Sequence, residues 1–140
     1  MRKGTVLLDT GPLVAFLNVA DPHHTWAKTH FGTSSPPLLT CESVVSEACF
    51  LLARAKRGSR SVMDLLERGV IAVGIRLEAE FPAIARLMER FESVPMSLAD
   101  ACLVRLSEIV GECTVMTLDS HFRIYRRFGR QVVPILTPGE

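Results

Sequence analysis

At 140 residues the chain is sized for one domain, expected to span 1–140 and to build its core without disulfides or a structural metal. A hydrophobic share of 48% and a mean hydropathy of +0.25 leave room for an exposed apolar patch, and so for self-association or a protein partner. The net charge of +1 argues against a simple cationic nucleic-acid binder.

Met1-Arg-Lys and the apolar stretch that runs to about Ala20 loosely resemble a secretory signal. Asp9 and Gly11-Pro12 interrupt that stretch where a signal needs an unbroken apolar core. No run approaches the roughly 18 apolar residues of a membrane span, so a cytoplasmic protein with no membrane partner is expected. Residues 5–9 read as a buried parallel strand followed by the turn Thr10-Gly11-Pro12 and a short helix from Leu13 to Asn18. Asp21-Pro22 opens a second helical stretch that stops near Gly32, and 33–37 is a loop. Leu38 to Thr40 reads as a short strand, with Thr40 capping a long helix from about Cys41 to Lys56.

Gly58 then separates a helix over 59–68 from the β-like run 70–73. Leu77 to Phe91 is helical, with Pro82 tolerated only near its first turn. Leu98 to Val110 forms a helix apolar nearly all round, which must pack on more than one side. Residues 114–118 read as a strand, 119–127 as a short helix and 132–135 as a last strand. Strands alternating with helices indicate a three-layer α/β/α sandwich with a mostly parallel central sheet. Cys41, Cys49, Cys102 and Cys113 show no C-x-x-C pair, and three of them fall in apolar helical or near-helical patterns, as buried reduced thiols do.

Four acids sit where an acid is awkward. Asp9 ends the apolar run 5–8, Asp119 ends the run 114–118, and Glu47 and Asp100 lie inside apolar helical patterns. Apolar surroundings raise the cost of ionising a carboxylate, so gathering several requires compensating positive charge, most simply a divalent cation. Setting these four aside leaves a basic remainder: an acidic pit in a basic surface, which suits a phosphate-bearing substrate. An all-oxygen donor set without His or thiolate ligands suits Mg²⁺ or Mn²⁺ rather than zinc. Such ions activate water for phosphodiester hydrolysis.

The segments Val6-Leu-Leu-Asp-Thr-Gly-Pro-Leu-Val14, Glu42-Ser-Val-Val-Ser-Glu47, Met96-Ser-Leu-Ala-Asp-Ala101 and Thr117-Leu-Asp-Ser-His-Phe122 follow the order and spacing of the PIN-domain ribonucleases. Over nearly its whole length the chain resembles the VapC-type toxins of bacterial and archaeal toxin–antitoxin pairs. The resemblance implies an Mg²⁺- or Mn²⁺-dependent endoribonuclease in which Asp9, Glu47, Asp100 and Asp119 are the catalytic, metal-binding acids, supported by Thr10 and Thr117. It further implies an RNA substrate, tRNA among the candidates, a homodimer, and inhibition by a cognate antitoxin that occupies the active-site groove.

Every one of these acids also has a plainer role open to it. Asp9 and Asp119 suit helix N-caps, Ser97-x-x-Asp100 matches a capping box, and Glu47 suits a solvent-facing position. His121 is a candidate phosphate contact or an ordinary surface histidine. Arg123, Arg126, Arg127 and Arg130, interleaved with Phe122, Tyr125 and Phe128, suit an RNA grip or a helix end. A phospho-aspartate receiver or phosphatase built on Asp9 is the rival enzyme class, weakened by Gly11 where a second acid is needed. A binding module that holds RNA or protein without cleaving it is the rival outside catalysis.

Overall fold

A computed structural model describes residues 4–139, so the basic start of the signal-like stretch, Met1 to Lys3, lies outside the described residues. Its centre is a strand pair made by sequence pattern. β1 (Thr5–Leu8) and β4 (Cys113–Met116) lie parallel, with Thr5 opposite Cys113 and Leu8 opposite Met116. Leu7, Leu8, Val115 and Met116 are fully buried, as strands covered on both faces require, and each stabilises the core by about 1.5–3 kcal/mol. The register brings both strands to an end at one level, and the Asp9 amide continues the ladder by donating to the Met116 carbonyl at 3.0 Å.

From β1 the chain passes through α1 (Thr10–Leu17) and α2 (His24–Thr33) to β2 (Leu38–Thr40), then through α3 (Glu42–Leu51) and α4 (Gly58–Glu67) to β3 (Ile71–Val73). It returns through α5 (Leu77–Arg90) and α6 (Leu98–Val110) to β4 on the other side of β1. A 3₁₀ turn (Ser120–Arg123) follows, then an antiparallel pair, β5 (Arg126–Arg127) and β6 (Gln131–Val132), and finally β7 (Ile135–Leu136). The sheet order is β3-β2-β1-β4-β7, all parallel, and with the flanking helices it forms the expected α/β/α sandwich. α6 packs on β1 and β4 at the sheet centre, which is why its residues 99–104 are all buried.

Several boundaries differ from the sequence reading. Thr10-Gly11-Pro12 is not a turn before a helix but the first turn of α1, where proline's missing N–H has no partner to lose. Gly11 fits there because a side-chain carbon would crowd Leu118, whose nearest atom would lie 3.0 Å away. Thr40 does not cap α3. Its buried hydroxyl donates to the Leu8 carbonyl at 2.7 Å, tying β2 to the end of β1, and Cys41 takes the cap position instead. α3 stops at Leu51 rather than near Lys56. Pro82 lies in the second turn of α5, beyond the first-turn limit expected of it. The helix expected over 119–127 is a single 3₁₀ turn followed by a hairpin, whose loop places Phe128 and Gly129 in the left-handed region (φ 50° and 83°). Glycine adopts that region without the strain a β-carbon brings. The last strand begins at Ile135 instead of Val132, since β6 pairs with β5 outside the main sheet. All four cysteines are free, three of them buried, as expected of reduced thiols.

Candidate functional site

In this strand order the chain leaves β1 in one direction and β4 in the other, so the crevice at their carboxyl ends is the topological switch point, where open parallel sheets bind ligands. An open cleft of about 810 Å³ lies there. Asp9, Glu47, Asp100 and Asp119 all line it, together with Asp21 and His121. No local pattern provides a geometric reason for Glu47 on α3 and Asp100 on α6 to meet the two strand-end aspartates. The packing of α1 on α3 and of α6 on β1 and β4 supplies one.

The acids are held by neutral donors. Asp9 is the N-cap of α1. Its Oδ1 accepts the Thr10 amide at 2.8 Å, and its Oδ2 accepts the Thr117 hydroxyl at 2.7 Å. The Thr10 hydroxyl donates to Glu47 Oε1 at 2.7 Å. Thr117 Oγ1 accepts the Asp119 amide at 2.9 Å, so one hydroxyl links both strand-end aspartates. Asp119 caps the 3₁₀ turn, its Oδ1 accepting the His121 amide at 2.8 Å, with His121 Nδ1 3.3 Å away. Ser97 caps α6 by accepting the Asp100 amide at 3.0 Å. The plain capping roles are therefore real for Asp9 and Asp119, and they point those carboxylates into the cleft rather than away from it.

Electrostatically the cleft is acidic and uncompensated: among the described residues no Lys or Arg lines it. Burial pushes the Asp9 carboxyl up to about 6 against the lowering effect of its Thr117 and Thr10 bonds, and the charges of Asp100 and Asp119 add to the rise. Burial also raises Asp100, with Asp119 contributing and the Tyr125 hydroxyl opposing. As the side chains stand, no three Asp, Glu, His or Cys groups among the described residues converge to hold an ion. The chemistry nonetheless fits one. A carboxylate oxygen has lone pairs for both a hydrogen bond and a cation, hydroxyl donors leave the charge intact, and like charges at the rim are relieved by a divalent ion.

None of the arginines singled out in the sequence lines the cleft. Arg127 is buried: its Nη2 donates to the Gly111 carbonyl at 2.6 Å at the end of α6, and its Nη1 lies 3.5 Å from Cys113 Sγ. Gly111 is eleven residues beyond Asp100, about 16 Å along the helix, so Arg127 secures the far end of α6 and cannot grip substrate at the cleft. Arg126 Nη1 folds back onto the carbonyls of Arg123, Ile124 and Tyr125 at 2.8 to 3.1 Å. Arg123 is exposed, and His121 stands half-exposed at the cleft. Tyr125, read from sequence as part of an RNA grip, is fully buried and donates its hydroxyl to Asp100 Oδ2 at 2.6 Å. Only its spacing of three from Phe122 hinted at an inward-facing aromatic.

A family model described as PIN domain matches residues 6–127. Ribonuclease VapC26 of Mycobacterium tuberculosis is 27% identical over 127 residues, spanning 89% of this chain and 94% of that protein. Among solved structures, the fold is similar to that of VapC20 from Mycobacterium tuberculosis, titled a Sarcin-Ricin loop cleaving toxin. The TM-score is 0.72 at 20% sequence identity, covering 83% of this chain and 91% of that one.

Proposed function

Because the chain belongs to the PIN domain family, we propose that it is a metal-dependent endoribonuclease, one domain acting as the toxin of a toxin–antitoxin pair. The observation that carries this reading is that Asp9, Glu47, Asp100 and Asp119 all line one cleft, free of lining Lys or Arg among the described residues, at the switch point of the sheet. The name of the relative VapC26 supports the ribonuclease class.

In this reading the four acids would hold Mg²⁺ or Mn²⁺. The bound ion supplies Lewis acidity at the phosphate and a water of lowered pKa. The residues of the chain do the rest. Thr117 and Thr10 fix the carboxylates of Asp9 and Glu47, so the site spends little free energy on ordering when substrate arrives. The buried floor formed by Asp9 and Asp100 limits water around the reacting phosphate. His121 and Arg123, on the turn that Asp119 caps, meet the RNA backbone, while Arg126 and Arg127 take no part. The substrate is RNA, tRNA being the first class to test. The partners are a second copy of the chain and an antitoxin that covers the groove, and the site of action is the cytoplasm. Among the described residues no helix is long and apolar enough to cross a membrane.

The test incubates purified protein with tRNA and mixed RNAs in Mg²⁺ or Mn²⁺, beside an Asp100→Asn variant. Cleavage that requires the ion and falls at least about a hundredfold in the variant is expected. Equal cleavage by both proteins rejects the assignment, and ion-independent RNA binding without cleavage makes the chain a binding module instead.

A further inference from the structure

The four acids are not held by the same kind of group. Threonine hydroxyls hold Asp9 and Glu47, and a backbone amide holds Asp119. Asp100 is reached by Ser97 at the start of its own helix and, from the far side of the 3₁₀ turn, by a phenol. The Tyr125 hydroxyl lies 2.6 Å from Asp100 Oδ2, and the whole side chain is inaccessible to solvent. Its ring is fixed from two sides, edge-on to Phe91 at 5.4 Å between centroids and to Phe122 at 5.2 Å. Its amide donates to the His121 carbonyl at 3.2 Å, which locks it to the turn that begins at Asp119. Tyr125 thus joins an acid on α6 to the loop that carries another.

A buried tyrosine needs an acceptor, but any backbone carbonyl would serve for stability alone. Here the acceptor is instead a buried carboxylate that lines the cleft beside Asp9 and Asp119, a costly choice for a purely structural bond. A phenol also orients a carboxylate without cancelling its charge, as Arg or Lys would.

Resting on the nuclease reading above, we propose that Tyr125 is a positioning residue for the metal site. Its hydroxyl holds Asp100 Oδ2 against the core and so sets the orientation in which this carboxylate lines the cleft.

Tyr125→Phe removes the hydroxyl and keeps the ring contacts, whereas Phe91→Leu loosens the ring packing and keeps the hydroxyl. Each protein, checked as folded by circular dichroism, is titrated calorimetrically with Mn²⁺ and then assayed for RNA cleavage. Tyr125→Phe is expected to bind Mn²⁺ about tenfold more weakly, with a lower kcat and an unchanged KM for RNA. Phe91→Leu is expected to melt at a lower temperature yet keep wild-type Mn²⁺ affinity. In an Asp100→Asn background, removing the hydroxyl should weaken Mn²⁺ binding no further. Wild-type Mn²⁺ affinity in Tyr125→Phe overturns the proposal, as does a loss in both single variants that simply tracks their melting temperatures. A wild-type protein that neither binds Mn²⁺ nor cleaves RNA overturns the nuclease reading itself, a result distinct from either of these.

Discussion

Asp9 is where the cost of the cleft can be measured. Its carboxyl is raised from 3.8 to about 6, chiefly by burial, so between those values the folded chain retains a proton that the unfolded chain has released. Stability therefore falls as pH rises through that window, and the full cost is present above about pH 6. The displacement corresponds to about 3 kcal/mol. In metal-free protein, Asp9→Asn should accordingly be the more stable form at pH 7 by up to about 3 kcal/mol, with the advantage vanishing near pH 4. Denaturant titrations across that range check this, and parallel stability profiles for the two proteins would refute it. Asp9 and Asp119 were legible in the sequence because an acid after a buried apolar run has few places to go. Tyr125 was not, because its partner lies 25 residues away, and the spacing from Phe122 that hints at an inward-facing ring does not say that its hydroxyl meets a carboxylate.

Segment 119–130 shows how an element can mislead. Its alternation of aromatic and basic residues suits a helix with a cationic end, but Asp119 caps only one 3₁₀ turn, and Phe128-Gly129 bends the chain into a hairpin. The glycine after Phe128 was the local sign of that bend. The consequence falls on Arg127, which is carried by β5 to the carboxyl end of α6, where the free carbonyls favour a cation. Among the described residues its Nε has no hydrogen-bond partner, and its Nη2 bond to the Gly111 carbonyl is charge-assisted. Arg127→Ala should lower stability by about 2–3 kcal/mol while leaving RNA cleavage near wild type at temperatures where the variant remains folded. Thermal melts paired with cleavage assays at low temperature separate the two effects. A stable variant with weakened RNA binding would instead return Arg127 to the substrate.

Across the molecule, the alternation of strands and helices announced a parallel sheet, but the order β3-β2-β1-β4-β7 was not legible, since pairing depends on which buried strands fit side by side. That order decides where the acids meet. With several carboxylates and, among the described residues, no lining Lys or Arg, the folded protein should be stabilised by divalent ions. At a hundred times the dissociation constant the linkage contributes about 2.7 kcal/mol, or a rise in Tm of about 10 °C. Scanning fluorimetry with and without Mg²⁺ or Mn²⁺ measures it, and Asp100→Asn should reduce the rise. No shift with either ion would contradict a shared site.

The hydroxyl that bridges Asp9 and Asp119 belongs to a residue 108 positions downstream of the first of them. During synthesis, the ribosome must release the stretch that forms β4 before the middle of the sheet can close. A growing chain, or one broken off ahead of Thr117, has neither the linking hydroxyl nor Asp119, so in nascent and truncated products the proposed site would be missing one of its four acids.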